Sequence, residues 1–388
     1  MTSPVIIIGA GMAAYSLARE FRKLDKTTPL MVVTGDAGHA YSKPTLSNAF
    51  ALGRAPAALV QTSATDIAAA LDMTVLANTW VTAIDRGARE IDTSEGRFAY
   101  SSLVLALGAD PVRLPLAGDA AGDVMSVNDL QDYALLRERI DAVGATARVA
   151  LIGAGLIGCE FADDLAGAGH HVTLIDPNAR PLSALAAPAL SDALMQAWAA
   201  RPITLKLGTV ATTVSRVGDC YKVRLADGSF VDADVVVSAV GLRPAIALAQ
   251  QSGIATGRGI RIDDHGRTSV EGIFALGDCA EYSMGEASVV MPYVAPMLAA
   301  ARAIAATLAG VPTPIALKHE PVVVKTPSCK LALLPPPPGT LGSWSTVNEG
   351  ERIVARFHDS AGVMRGFGLS QHTPALRSQL LSELGRAA

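Results

Sequence analysis

The sequence predicts an α/β chain with two parallel-sheet units and a smaller α+β unit at its C-terminal end. The main observation is a repeat, because residues 5–14 read VIIIGAGMAA and residues 149–158 read VALIGAGLIG. Each repeat is an apolar run, typical of a buried parallel strand, that leads through closely spaced glycines into a helix-forming segment. Near the C-terminal end, four consecutive prolines at 335–338 mark a stiff break before two further strand-like runs and a final helix.

The first glycine-rich turn has the spacing of a dinucleotide-binding loop. Gly9 permits a tight turn, Gly11 lets backbone N–H groups approach a pyrophosphate, and Ala14 is small enough for the helix to pack on the strand. A pyrophosphate bound there lies at the positive end of the helix dipole. One such loop is weak evidence. Two loops indicate two Rossmann-like, dinucleotide-binding domains, an arrangement typical of electron transfer between dinucleotides.

The second turn contains Gly153, Gly155 and Gly158, and Asp176 follows about 20 residues later at the end of the next predicted strand. An acid there accepts a hydrogen bond from a ribose 2′-hydroxyl and repels a 2′-phosphate, so NADH is favoured over NADPH. Arg180 is close enough in sequence to weaken this preference but not to reverse it. In the first unit, Asp36 lies slightly late for the same role, and its ribose contact stays open.

Composition and charge exclude several classes of protein. The chain has 388 residues, enough for two or three domains, and its net charge of −4 argues against nonspecific nucleic-acid binding. No segment has the unbroken apolar length of a membrane span, and the first residues lack the pattern of a secretory leader. We therefore predict a cytoplasmic protein that neither inserts into membranes nor binds nucleic acid.

The cysteines and histidines indicate no metal site. The four cysteines, Cys159, Cys220, Cys279 and Cys329, are far apart, and the seven histidines have no metal-ligand spacing. Each cysteine is predicted to be a small buried apolar residue.

Further motifs follow the two loops in a fixed order. They are ALG at 106–108, VGLRP at 240–244 and IFALGD at 273–278. This order resembles that of the FAD-dependent pyridine nucleotide oxidoreductases over essentially the whole chain. Within that family, four segments are similar to those of bacterial rubredoxin–NAD reductases: YSKPTLS at 41–47, GLIGCEFA at 155–162, VMP at 290–292 and VKTPSC at 324–329.

The resemblance implies an enzyme that passes electrons from NADH through FAD to rubredoxin, commonly for alkane hydroxylation. It also implies a division of the chain. Residues 1–112 and 243–318 would form the FAD-binding domain, residues 113–242 the NAD-binding domain, and residues 319–388 the C-terminal domain.

Roles for individual residues follow from the same resemblance. Those expected to hold FAD are Gly9, Ala10, Gly11, Met12, Ala13, Thr34, Gly35, Lys43, Val81, Glu160, Asp278, Val290 and Lys325. The spacing of the second loop and the acid that follows it give the residues expected to hold NAD, namely Gly153, Gly155, Gly158 and Asp176. Glu160, Lys43 and Lys325 are the expected catalytic residues, with both lysines near the flavin ring and pairing with Glu160. A helix predicted from about Pro292 would direct its positive end toward the charge of a reduced flavin.

Each of these charged residues also has a structural explanation. Lysines are usually surface charges, and Asp278 has the sequence context of a turn or helix cap. Glu160 is predicted in the first turn of a helix, where any acid interacts favourably with the dipole. The order of motifs favours the functional interpretation. Asn48 stands where related ferredoxin reductases often have lysine, which favours the rubredoxin branch.

Other functions stay open at this point. A ferredoxin or flavorubredoxin reductase would share every cofactor motif. An NADH oxidase or peroxidase normally has a reactive cysteine in the first unit, and this chain has no cysteine before Cys159. The lack of closely spaced cysteines disfavours electron exit through a disulfide, as in glutathione reductases. A flavin- and NADH-binding sensor without turnover is the alternative of a different class.

Overall fold

The structure is a computed structural model that describes residues 3–144, 146–284 and 287–387. The chain forms two compact units. Unit 1 comprises Met1–Lys43, Ala57–Asp110 and Leu242–Lys318, and unit 2 comprises Pro44–Pro56, Pro111–Gly241 and His319–Ala388. Each unit is therefore built from segments that are distant in the sequence.

Eight α-helices lie within the described residues. They are α1 (Met12–Leu24), α2 (Ala64–Ala70), α3 (Leu130–Val143), α4 (Leu156–Gly167), α5 (Pro188–Trp198), α6 (Ala247–Gln251), α7 (Val294–Leu308) and α8 (Pro374–Glu383). Short 3₁₀ turns occur at Lys43–Asn48, Pro56–Leu59, Ala121–Asp123 and Gly277–Cys279. No helix of this part of the chain has the length and apolar character that crossing a membrane requires.

Unit 1 is centred on a five-stranded parallel sheet. Its strands, in spatial order, are Ile273–Ala275, Ser102–Leu105, Val5–Ile8, Leu30–Val33 and Thr74–Leu76. The central strands are almost entirely apolar because both faces are covered, and α1 and α7 contribute to the same core. The fold therefore places the turn after Ile8 at the carboxyl end of the sheet.

Smaller sheets complete unit 1. One contains Val81–Asp85, Glu90–Thr93 and Gly96–Ala99, and another contains Ile260–Ile262, Ala280–Met284 and Ala287–Val290. Two short pairs join Ala40–Tyr41 with Val60–Thr62 and Ala109–Pro111 with Leu242–Pro244.

Unit 2 contains a second parallel sheet of the same kind. Its four strands, in spatial order, are Ile203–Leu207, His171–Asp176, Arg148–Ile152 and Val235–Ser238. An antiparallel sheet of Ala211–Val217, Cys220–Leu225 and Phe230–Ala233 packs near it through an apolar cluster.

The last part of unit 2 is a five-stranded antiparallel sheet covered by α8. The strand order is Val322–Val324, Leu331–Leu334, Met364–Ser370, Arg352–Asp359 and Gly342–Glu349. Leu380 of α8 packs into its core beside Phe367 and Leu369. The predicted class, two Rossmann-like sheets followed by a small α+β domain, is confirmed.

The C-terminal domain has more strands than we predicted. The sequence indicates two strands there, which correspond to Arg352–Asp359 and Met364–Ser370. Three strands are additional: Val322–Val324, Leu331–Leu334 and Gly342–Glu349. The first two are short runs of three and four residues, and the third reads GSWSTVNE and is mostly exposed, so it has no apolar run by which to recognise it. The final helix is as predicted, and Thr373 caps it by accepting a hydrogen bond from the Leu376 N–H at 3.3 Å.

Candidate functional site

The first glycine-rich loop has the geometry of a phosphate-binding turn. Gly9 has a φ of +110°, and a Cβ at this position would lie 2.3 Å from the carbonyl oxygen of Ala106. Gly11 is the N-cap of α1 and offers no side-chain cap, and the first turn of α1 contains no acid. The space beside Gly11 is open to a distance of 4 Å. The N–H groups at the start of α1 therefore fit the pyrophosphate of FAD.

The turn that contains Asp278 packs against the same loop. A Cβ on Gly277, which has a φ of +77°, would lie only 3.0 Å from the Cβ of Ala13. Burial raises the pKa of the Asp278 carboxyl, and the charge of Lys43 acts in the opposite direction. Four residues predicted to bind FAD, Gly9, Ala13, Lys43 and Asp278, are therefore neighbours in unit 1.

The residues expected near the adenosine also lie together. Thr34 follows the strand Leu30–Val33, and its carbonyl accepts a hydrogen bond from the Thr79 N–H at 2.8 Å. A Cβ on Gly35 would lie 2.5 Å from the indole ring of Trp80, which directly precedes Val81. Trp80 was missed in the sequence. It is 67% exposed, so its ring is accessible beside the predicted adenosine site, and this exposure is visible only in the structure.

For two further residues of unit 1, Asp36 and Val290, the structure shows contacts with neighbouring protein residues. The Asp36 carboxylate accepts hydrogen bonds from the Thr34 hydroxyl at 2.9 Å and from the Gly38 N–H at 2.8 Å, which engage it in its own loop. Val290 is half-buried at the end of its strand, where it pairs with Glu281. Its expected position beside the flavin ring stays a prediction.

The second glycine-rich loop is as tightly constrained as the first. Gly153 has a φ of +107°, and a Cβ there would lie 2.7 Å from the carbonyl oxygen of Ala239. A Cβ on Gly158 would lie 1.9 Å from the carbonyl oxygen of Gly153, so α4 approaches the turn too closely for any side chain. Gly155 is the N-cap of α4 without a side-chain cap, as Gly11 is for α1.

Asp176 ends the neighbouring strand and faces this loop. Its Oδ2 accepts a hydrogen bond from the Ala154 N–H at 2.7 Å, and its Oδ1 accepts two from the backbone and side-chain N–H groups of Asn178, each at 2.8 Å. A carboxylate has about four acceptor positions, and these hydrogen bonds occupy three of them. The contact of Asp176 with a ribose hydroxyl stays a prediction. Arg180 pairs with Asp192 at 2.6 Å, which engages the nearest candidate for binding a 2′-phosphate.

Two hydroxyl groups that we did not predict lie at the same sheet. The Ser238 and Thr209 hydroxyl oxygens are buried and have no hydrogen-bond partner in the described residues. Ser238 pairs with Ile152, the residue before Gly153, and the Thr209 N–H donates to the Asp176 carbonyl at 3.3 Å. Orphaned polar atoms at the carboxyl end of a parallel sheet fit a ligand there. Serine and threonine are too common for sequence patterns to single these two out.

The Glu160 carboxylate is fully buried and accepts three hydrogen bonds within unit 2. The Ser47 hydroxyl donates to Oε2 at 2.6 Å, and the Lys325 N–H donates to Oε1 at 3.0 Å. The Lys325 ammonium group forms a short ion pair with Oε2. The structure therefore brings together Glu160 and Lys325, as we predicted. Lys43 belongs to unit 1, and its expected pairing with Glu160 stays a prediction.

The prediction that Glu160 lies in the first turn of its helix, where it would interact with the dipole, was wrong. Glu160 is the fifth residue of α4, and the first turn of that helix contains no acid. Its charge is therefore compensated by specific donors and not by the helix terminus. Two further acids of α4 act similarly. Asp163 accepts hydrogen bonds from Trp198 Nε1 and from Ser328, and Asp164 accepts them from the Phe50 and Ala51 N–H groups.

The cysteines supply no reactive thiolate. All four are free, and Cys159, Cys279 and Cys329 are buried as we predicted. Burial raises the pKa of the Cys279 and Cys329 thiols to about 11 and also raises that of Cys159. Cys220 departs from the prediction because it is only half-buried, and its thiol donates a hydrogen bond to Asp234.

Comparison with known protein families gives two matches. Residues 3–302 match the family model of the pyridine nucleotide-disulphide oxidoreductases. Residues 314–384 match the model of the rubredoxin-binding C-terminal domain. Together the two matches include both glycine-rich loops, Glu160, Asp278 and Lys325.

Individual proteins are similar over nearly the whole chain. A rubredoxin-NAD(+) reductase of Alcanivorax borkumensis is 40% identical, with 98% of each chain covered. A nitric oxide reductase FlRd-NAD(+) reductase of Aeromonas hydrophila is 38% identical, with 98% of this chain and 96% of the relative covered. The crystal structure of a covalent putidaredoxin reductase–putidaredoxin complex superposes with a TM-score of 0.88 at 26% identity, covering 99% of this chain and 93% of the other.

These matches extend over both sheets and the C-terminal domain, and they agree with the geometry of both loops. The chain therefore belongs to the pyridine nucleotide-disulphide oxidoreductase family, as a flavoprotein reductase that ends in a domain of the rubredoxin-binding type.

Proposed function

We propose that this protein is an NADH-dependent, FAD-containing reductase that delivers electrons to rubredoxin. The proposal rests on two observations taken together: the chain has two complete dinucleotide loops, and residues 314–384 match a rubredoxin-binding domain. Relatives named rubredoxin-NAD(+) reductase support it at 40% identity. Alkane hydroxylation is one use of reduced rubredoxin, and it stays part of the proposal.

The chain's own residues bind and orient the two dinucleotides. In unit 1, the N–H groups after Gly9 and Gly11 would hold the FAD pyrophosphate, with Asp278 beside them. In unit 2, the loop at Gly153 would hold the NADH pyrophosphate, and Asp176 would accept the ribose hydroxyl. Bound FAD supplies the chemistry of accepting a hydride and releasing electrons one at a time.

Glu160 and Lys325 have a further role in this proposal. Because Glu160 accepts hydrogen bonds from both the backbone and the ammonium group of Lys325, it holds this cation in one position. A fixed cation stabilises negative charge more effectively than a mobile one, since little reorganisation is needed. We propose that Lys325, together with Lys43, acts on the charge of the reduced flavin, and that Glu160 lies close to the nicotinamide.

Stopped-flow spectroscopy tests the electron route. We expect NADH to bleach the flavin absorbance, and we expect added oxidised rubredoxin to restore it faster than oxygen does. The proposal fails if rubredoxin does not accelerate flavin reoxidation. A flavorubredoxin-type or ferredoxin acceptor is the second candidate, because the relative at 38% identity is a FlRd-NAD(+) reductase. Parallel assays with those carriers distinguish the two. A sensor without turnover would show no multiple turnover with any of them.

Replacing Asp176 with alanine is expected to weaken the preference for NADH. The change removes the acceptor for a ribose hydroxyl and the charge that repels a 2′-phosphate. Loss of a hydrogen bond to a charged group costs about 1.5–3 kcal/mol, so we expect the kcat/KM ratio of NADH to NADPH to fall by about 10- to 150-fold. Steady-state assays with both nucleotides measure the ratio, with Asp219→Ala, the change of an exposed acid of the same unit, as the control. An unchanged ratio would show that Asp176 does not contact the ribose.

We also propose the domain boundaries and the location of the protein. Residues 1–112 with 243–318 would form the FAD-binding domain, residues 113–242 the NAD-binding domain, and residues 319–388 the C-terminal domain. The separate family matches at 3–302 and 314–384 support the last boundary. Four free cysteines suit a reducing compartment, and we propose the cytoplasm.

A further inference from the structure

The basic residues of the C-terminal domain are unevenly paired. Residues 314–384 contain seven lysines and arginines against five aspartates and glutamates, in a chain whose net charge is −4. Those with acidic partners are Lys325, Arg352, Arg356 and Arg365. Lys330 and Arg377 have no acidic partner within 4.0 Å among the residues that the structure describes.

Lys330 and Arg377 lie together at one corner of the domain. Lys330 precedes the strand Leu331–Leu334, and its carbonyl accepts a hydrogen bond from the Gln371 N–H at 3.0 Å. Gln371 leads through His372 into α8, which contains Arg377. Leu331, which follows Lys330, pairs with Ser370, which directly precedes Gln371 and His372, so the backbone brings these segments to the same corner. Burial lowers the pKa of the His372 imidazole, and the charges of Arg377 and Lys330 lower it further. We name Lys330, His372 and Arg377 the basic corner.

No acidic side chain of the described residues forms an ion pair with Lys330 or Arg377 of the basic corner. The first turn of α8 contains no acid, so the positive end of the helix adds to the two cations. The His372 Nδ1 atom is buried and has no hydrogen-bond partner in the described part of the chain. Lys330 is exposed and therefore accessible to another molecule. An accessible, uncompensated positive corner attracts an acidic partner and orients it on approach.

The basic corner adjoins the loop that holds Lys325. Lys330 lies five residues after Lys325, and the intervening turn is closed by a hydrogen bond of 2.6 Å from the Thr326 hydroxyl to the Cys329 carbonyl. Ser328 in this turn is bound to the buried Asp163 of α4. The loop is therefore bound to α4 through both Lys325 and Ser328, and a protein docked at the corner would lie beside a segment held by hydrogen bonds.

We propose that the basic corner is the docking site for an acidic face of the electron-carrier protein. This inference rests on the proposed function and adds to it the residues that receive the carrier. The occupant is an electron carrier of the rubredoxin type, because the corner lies within residues 314–384, which match a rubredoxin-binding domain. We infer that its docking face carries carboxylates, because the corner presents unpaired positive charge. Its contribution is mainly to the rate and orientation of association, as expected for charges at an interface rim.

Charge reversal at Lys330→Glu and Arg377→Glu tests the assignment. We expect each variant to raise the KM for rubredoxin by about 3- to 10-fold at low ionic strength, with a smaller effect at high salt because the charges are screened. Flavin reduction by NADH in the absence of a carrier should be unchanged. Lys330→Gln and Arg377→Gln should give intermediate values, which separates charge from folding. Lys318→Glu is the matched control, since Lys318 is also exposed and unpaired with an acid in the described residues.

The outcomes separate this inference from the proposed function. If the wild type reduces rubredoxin and neither reversal changes its KM more than Lys318→Glu does, the docking assignment is wrong. If the wild type does not reduce rubredoxin, the proposed function is wrong, and the same variants are compared with ferredoxin as acceptor. The basic corner is then retained if Lys330→Glu and Arg377→Glu impair that reaction selectively, and rejected if they do not.

Discussion

Replacing Gly9 with alanine is expected to yield a protein that is purified without its yellow cofactor. Alanine at a φ of +110° is strained, and its Cβ would lie 2.3 Å from the Ala106 carbonyl oxygen. Strain of about 1–3 kcal/mol at the loop corresponds to a loss of about 5- to 150-fold in FAD affinity. The ratio of flavin to protein absorbance after purification measures the loss, and titration with added FAD gives the affinity.

The corresponding change in unit 2 distinguishes the two loops. Gly153→Ala introduces the same conflict, with a φ of +107° and a carbonyl oxygen at 2.7 Å. We expect this variant to retain FAD but to need a much higher NADH concentration for flavin reduction. Gly122→Ala is the control, because Gly122 has open space around it and no positive φ. If Gly153→Ala lost FAD and Gly9→Ala kept it, the assignment of the two loops would be reversed.

Replacing Lys325 with methionine is expected to destabilise unit 2 and to slow flavin reduction. The change leaves the buried Glu160 carboxylate with donors from Ser47 and the backbone only. Removing one partner of a buried ion pair costs about 3–5 kcal/mol, and partial exposure of the lysine side chain, at 28%, places the expected cost near the lower value. Thermal unfolding, with chemical denaturation as a second measure, checks the stability. Stopped-flow reduction by NADH checks the rate.

Two comparisons isolate the effect of the Glu160–Lys325 pair. Lys222→Met breaks an exposed pair with Asp232 in the same unit and should cost less than about 1 kcal/mol. The double change Glu160→Gln with Lys325→Met removes both charges, so it should be more stable than Lys325→Met alone. If Lys325→Met were no more destabilising than Lys222→Met, Glu160 would not depend on this lysine for its charge compensation.

Prediction from the sequence succeeded where chemistry depends on local patterns. The turn after Ile8 and the turn after Ile152 were recognisable because glycine spacing directly reflects backbone conformation, and both first glycines have a positive φ. The position of Asp176 was recognisable because it ends the strand His171–Asp176, about 20 residues after the glycines of the second loop. The C-terminal strand Gly342–Glu349 was not, since its exposed polar residues carry no periodic signal.

Contacts between distant segments required the tertiary structure. Glu160 and Lys325 are separated by 165 positions, and the family resemblance alone linked them before the contact was seen. No sequence pattern indicates that Glu160 accepts hydrogen bonds from the Ser47 hydroxyl and from the Lys325 N–H. The same is true of the basic corner, where Lys330 and Arg377 become neighbours only because the strand Leu331–Leu334 pairs with Met364–Ser370.

The sequence alone is sufficient for the two dinucleotide folds and for the positions of both glycine-rich loops, because turns and strands are specified by residues close together in the chain. It does not specify how the buried acids of α4 are compensated, or which cations stay unpaired at the surface. Those properties arise from burial and long-range pairing. The sequence pattern of a helix does not show whether an acid such as Glu160 faces water or a buried cation. Only the folded structure places Glu160 in the interior beside Lys325.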